Sequence, residues 1–174
     1  MWTPEIQMAL ITGLVGLGGA TLGGVLAWKR ESKQARTAFI FDMHREFNTG
    51  DVSKARGLAH EVLIANPDVP LTELLAKVGP EKSHDVWVLL NFFLRLRLAV
   101  QHGRIDGKLV FPLFGETVIW WARVHFADRM EHGIWDSYDA VFEMESWFEK
   151  RYGRNANFAK WAQRAATDRE RFYS

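Results

Sequence analysis

Between Glu5 and Lys29 the chain runs for 23 residues, 6–28, without one ionisable side chain. At 1.5 Å per residue that run makes a helix of about 34 Å, enough to cross a hydrocarbon core of roughly 30 Å with some tilt. It reads as a transmembrane helix. A cleaved signal peptide would open on a basic stretch and end on an A-x-A-like site, whereas this segment is preceded by Glu5 and has no such site before the charged residues. Thr3 before Pro4 is a helix start, a capping oxygen followed by the position where proline costs no hydrogen bond. Trp2 and Trp28 then lie about 39 Å apart along the axis, each at the level of a headgroup layer.

The flanks set an orientation. Lys29, Arg30, Lys33 and Arg36 follow the run against a single Glu31, and no basic side chain precedes it. The excess of basic residues belongs on the cytoplasmic side, so the expected topology is N-terminus out, C-terminal body in, with the bacterial inner membrane as the location. The expected organisation is a membrane segment over 1–36 and a cytoplasmic body over 37–174.

Six of the fourteen glycines fall inside the run. Gly16, Ala20 and Gly24 recur every four residues, as do Gly19 and Gly23, which leaves one broad helix face almost without side chains. Lipid gives no reason for such a face, but a second helix does, because small residues let two backbones approach closely. The predicted partners are therefore membrane lipid and either a transmembrane protein or a second copy of the chain.

From residue 37 onward the apolar residues recur with a period near 3.6, so the fold class is all-α. The first helix should leave the bilayer through Phe39, Phe41 and Phe47 and stop at Asn48-Thr49-Gly50. Asp51 should cap a second helix over about 51–66, followed by a short one over 70–78 and a break at Gly79-Pro80. A long helix over 80–102, a segment from Asp106 interrupted at Pro112, and helices over 114–132, 136–152 and from Asn155 or Asn157 complete a bundle of about six helices.

The helix over 80–102 must be central, since apolar residues from Val86 to Val100 occupy nearly its whole circumference. His84, Asn91, Arg95 and His102 form its one polar stripe. Arg97 lies apart, between Val86 and Leu90 on the wheel, where burial calls for an acid such as Glu116, Asp128 or Glu143. Asn91, Arg95 and Arg97 are the candidate polar or anion-binding residues.

Net charge and cysteine content exclude several functions. With 22 basic and 21 acidic residues the chain lacks the basic excess of a nucleic-acid binder, so no nucleic acid is expected. The absence of cysteine removes disulfides, thiolate metal sites and cysteine nucleophiles. No phosphate loop, nucleophile elbow or H-E-x-x-H motif is present. His125, Asp128 and His132, with Glu131 nearby, are the best metal spacing, but Arg123 and Arg129 oppose a cation there and the set reads as a solvated helix face. No catalytic residue, metal or cofactor is expected, and no enzyme. Residues 150–171 hold seven basic and two acidic groups beside Phe158, Trp161, Phe172 and Tyr173. That pattern suits a helix on anionic lipid and equally one docked on the bundle with a solvated basic face.

The order of an N-terminal span, a basic juxtamembrane helix, Leu89-Leu90-Asn91-Phe92-Phe93, Gly103-Arg104-Ile105-Asp106, Phe114-Gly115 and Trp120-Trp121 resembles a widespread bacterial family of small, membrane-anchored helical proteins of unknown function. The resemblance implies an all-helical cytoplasmic domain on one span, and it supplies no reaction or ligand. The family pattern has an acidic residue shortly after the Asn-aromatic pair, where this chain has Leu94 and Arg95. The expected role is a non-enzymatic accessory or scaffold protein. The alternative is a membrane-anchored sensor or effector, of stress or phage-defence type, whose bundle binds a small anion.

Overall fold

α1 (Pro4–Asn48) is a single helix of 45 residues. It appears in a computed structural model that describes the backbone of residues 4–67, 69–127, 129 and 136–174, and the side chains of those residues from Gly24 onward. At its C-terminal end Ile40, Met43 and Phe47 repeat at helical spacing and are buried. Asn48 Nδ2 and Thr49 Oγ1 donate back to the carbonyls of His44 and Arg45, satisfying acceptors that the helix end would leave open.

Gly50, at φ 69°, turns the chain into α2 (Gly50–Ile64). That left-handed turn puts the start one residue before Asp51. Thr49 therefore holds the capping position, its side chain making no capping bond to α2, and Asp51 becomes a first-turn charge rather than the cap. Val52, Ala55, Ala59 and Leu63 form the buried stripe of α2.

α3 (Leu71–Gln101) contains the expected break, because Gly79 takes φ 80° and ψ 170° immediately before Pro80. The portion after the kink is the centre of the bundle. Val86, Leu89, Leu90, Phe92, Phe93 and Leu96 are fully buried, with α2 on one side and α5 on the other. Left-handed Gly103 ends it, allowing the Arg104 N–H to return to the Ala99 carbonyl at 2.9 Å.

α4 (Gly107–Trp121) is capped by Asp106, whose carboxylate accepts from the Lys108 backbone N–H at 3.0 Å. Pro112 does not interrupt it, contrary to the sequence expectation. The ring lies on the exposed face and removes one backbone hydrogen bond, while Val110, Phe111, Phe114 and Val118 anchor the helix on either side. The helix expected over 114–132 is likewise not separate: it is the C-terminal part of α4, followed by a π-helical turn over Ala122–Phe126.

α5 (Asp136–Tyr152) packs on α3, and α6 (Ala156–Tyr173), capped by Asn155, closes over α4 and the π turn. Phe158 and Ala165 of α6 are buried, and Trp161, Phe172 and Tyr173 are half-buried on the bundle. Among the described residues all regular structure is helical.

No helix among the residues whose side chains are described is long and apolar enough to cross a membrane. Most of the predicted span falls outside those residues: Gly16, Gly19, Ala20 and Gly23 precede the described side chains, and Trp2 lies outside the described residues. Gly24 is exposed, as are Trp28, Lys29, Arg30, Lys33 and Arg36.

Candidate functional site

A helix that turns 100° per residue cannot send three successive side chains into one core, yet Val124, His125 and Phe126 are each no more than 2% exposed. The π turn widens the helix here, and it is covered by α2, α5 and α6 together, so Val124, His125 and Phe126 all face packed elements. His125 therefore points at two neighbours. Its Nε2 lies 2.8 Å from Nδ1 of His60 on α2, and its Nδ1 is hydrogen-bonded to the hydroxyl of Tyr173 at the end of α6.

Burial decides the protonation of this chain. The His125 imidazole is pushed down to about pKa 2, first by desolvation and then by His60 and the Arg129 guanidinium. Burial also lowers His60, with Glu61 acting against it, and raises Tyr173 against the pull of Arg129 and Arg169. At neutral pH all three rings are uncharged. A neutral imidazole donates at one nitrogen and accepts at the other, so two complete patterns exist. In one, Tyr173 donates to His125 and His125 to His60, and in the other both bonds reverse. Either pattern satisfies both bonds of this row with all three groups neutral.

Each end opens on a cavity. The first, about 340 Å³, lies between α2, α4 and α6 and has His60, Trp120 and Trp121 in its wall together with Arg56, Gly57 and Glu116. The second, about 530 Å³, is bordered by His125, Arg129, Arg169 and Tyr173. Arg129 is structural on this side: its guanidinium donates to the Leu63 and Asn66 carbonyls at 2.8 and 2.7 Å, capping the end of α2.

Arg56 is the unusual charge of the first cavity. It makes no hydrogen bond or ion pair with any described residue, and its guanidinium lies 4.6 Å from the centre of the Phe47 ring. Burial pulls its pKa below the ordinary guanidinium value. Arg164 at the rim, by contrast, is bound to Glu116 at 2.7 Å, and Trp120 donates from Nε1 to Asp168 at 2.8 Å. A flat anion would find stacking surface on the tryptophans and an unclaimed cation beside them.

The sequence-predicted anion residues are not brought together in this way. Asn91 is exposed, Arg95 reaches toward α1 and pairs with Glu46, and Arg97 turns toward α5 and pairs with Glu143, one of the three acids the helical wheel suggested. No group of three metal-ligating side chains occurs among the described residues. Of the metal spacing considered from sequence, both ring nitrogens of His125 are engaged by His60 and Tyr173, and Asp128, Glu131 and His132 lie outside the described residues.

Sequence reasoning missed Arg56 and also His60, which stands 65 residues away from its partner His125. The available signal was Trp120-Trp121, since two adjacent large rings on one helix cannot both enter the same core. No family model, curated protein or solved structure matches this chain.

Proposed function

We propose that the protein is a non-enzymatic, single-span accessory or scaffold protein of the bacterial inner membrane, anchored by residues 6–28 with its helical body in the cytoplasm. The glycine-rich face of the span holds a transmembrane partner or a second copy, and the bundle is presented to that partner's complex. The observation that carries this reading is the continuity of α1. It runs unbroken from Pro4 to Asn48, roughly 67 Å, and its far end contributes Ile40, Met43 and Phe47 to the core. The uncharged segment is thus joined to the bundle without a hinge. Val25, Leu26 and Trp28 are 50, 59 and 67% exposed, apolar surface that the bundle leaves for lipid to cover. The resemblance suggested by residues 89–93, 103–106, 114–115 and 120–121 implies the same architecture.

The experiment is extraction of the tagged protein from its native membrane in mild detergent, with mass spectrometry of whatever co-elutes. A stoichiometric membrane complex or a defined homo-oligomer is expected, and Gly19→Leu with Gly23→Leu should abolish it. Unchanged association of that variant removes the glycine face from the reading.

A second reading, a ligand-responsive module, is favoured by Arg56. A half-buried guanidinium without a carboxylate partner among the described residues, in a cavity walled by two tryptophans, is suited to a small planar anion. Thermal shift with benzoate and with a nucleoside monophosphate tests it. Stabilisation that disappears in Arg56→Ala supports the reading, and none with either probe removes it.

A further inference from the structure

On the other side of α4, the α3–α4 connection folds back against the part of α1 that follows the uncharged run. Lys29, Ser32, Lys33 and Arg36 share one helix face, at i, i+3, i+4 and i+7. That face and the connection enclose a cleft of about 500 Å³, whose opposite wall includes Lys108. Four cations therefore border one small space. None of the four has a carboxylate partner among the described residues, and Arg36 bonds only to Ser32 Oγ, at 3.3 Å. The one acid in the wall, Asp106, is engaged as the cap of α4 on the Lys108 backbone N–H.

The three cations of α1 need no ligand to explain them, because basic residues at a cytoplasmic flank orient a span. Lys108 is different. It comes from another helix more than seventy positions along the chain, and the fold brings it to the same cleft, where Asp106 is the one acid set against the mutual repulsion of four cations. An anion between the two walls would relieve it.

We infer that this cleft binds the phosphate headgroup of an anionic phospholipid of the cytoplasmic leaflet. Position selects a lipid over a soluble phosphate. Lys29 to Arg36 cover about 10 Å of axis directly beyond the uncharged run, the depth at which headgroups lie when that run spans the bilayer. Trp28 borders the cleft on its apolar side, and exposed Val25 and Leu26 continue that surface toward the acyl chains. A headgroup held there would bridge α1 to α4 and fix how the bundle sits against the membrane. The inference rests on the membrane reading above, and its test separates the two.

The full chain is reconstituted in phosphatidylcholine nanodiscs with and without phosphatidylglycerol, and lipid retention is read by native mass spectrometry. Each basic residue near an anionic surface is worth about fivefold in binding. Lys108→Ala, which removes one wall of the cleft as well as that general attraction, should therefore lose clearly more than fivefold in phosphatidylglycerol retention. Arg30→Ala, which removes an equal charge at the same depth outside the cleft, should lose clearly less. Gly107→Leu adds a side chain where a Cβ meets nothing within 4 Å, so it should block the headgroup without changing charge. Equal losses for Lys108→Ala and Arg30→Ala, or wild-type retention in both Lys108→Ala and Gly107→Leu, overturn the cleft and leave only general surface attraction. Displacement of the lipid by inorganic phosphate or glycerol phosphate at comparable affinity overturns the lipid assignment. Release of the protein from native membranes by alkaline carbonate overturns the membrane reading itself, and the inference with it.

Discussion

Two aromatic regions of this bundle are held together by different physics. Around α3, Phe47, Phe92, Phe93 and Phe114 are at most 1% exposed, and Phe47 lies 4.9 Å from Phe92 and 6.3 Å from Phe114, ring centre to ring centre. None of these side chains has a polar atom, so no hydrogen bond positions them and close packing dominates. On the side of α2, α4 and α6 the rings are His60, Trp120, Trp121, His125 and Tyr173, and three of them are tied in a row by hydrogen bonds. Directional bonds fix rings without requiring every gap to be filled, and this region alone places a cavity at each end of such a row. The apolar region supplies stability; the polar one has room for a ligand.

The largest effect should come from breaking the packed region. Phe93→Ala leaves a void among rings that cannot relax into it and should cost about 3–5 kcal/mol in urea unfolding of the detergent-solubilised protein. A loss below about 1 kcal/mol would mean that the α3 rings are not the centre of stability. A smaller effect, opposite in character, belongs to His125. Its folded pKa, about 2, lies below the ordinary histidine value, so below about pH 6.5 the unfolded chain binds a proton that the folded one refuses. The contribution is therefore fully present above that pH and is lost progressively as the pH falls toward the folded value. Between about pH 7 and about pH 5 the loss should be about 2 kcal/mol, with His60 adding in the same direction. His125→Phe should flatten that slope, and an unchanged pH profile would show that the ring is not held neutral.

The packed region was legible in the sequence because its signal is periodicity. A helix apolar around its whole circumference can only be buried, and Val86 to Leu96 are placed accordingly. Gly79-Pro80, Gly103, Asp106 and Asn155 mark ends through backbone chemistry that does not depend on distant residues. Pro112 misled because proline reads as a break, while burial on both sides of it holds α4 together. The polar region was illegible for the corresponding reason. His60 and His125 meet only after α2 and the π turn are packed, and no local pattern announces a π turn. Arg56 is distinguished by having no carboxylate partner among the described residues, which no linear spacing reveals.

The smallest effect sharpens the comparison most, since it concerns two glycines of opposite standing. At Gly115, where α4 meets α6, an added Cβ would come within 2.8 Å of ring atoms of both Phe111 and Trp161, so the glycine stands where rings already fill the space. At Gly57, inside α2 and on the wall of the first cavity, an added Cβ meets nothing within 4 Å, and the backbone there is ordinary helix. Packing gives no reason for glycine at that position, and helix propensity argues against it. Gly57→Ala should therefore stabilise the fold by roughly 0.5–1 kcal/mol, read as a higher urea midpoint at unchanged slope. A gain in stability together with weaker binding of a planar anion would mean that the glycine holds the cavity open at the expense of α2. The same gain with binding intact would separate the cavity wall from the ligand, and would leave Arg56 as the feature that any second reading of this bundle must explain.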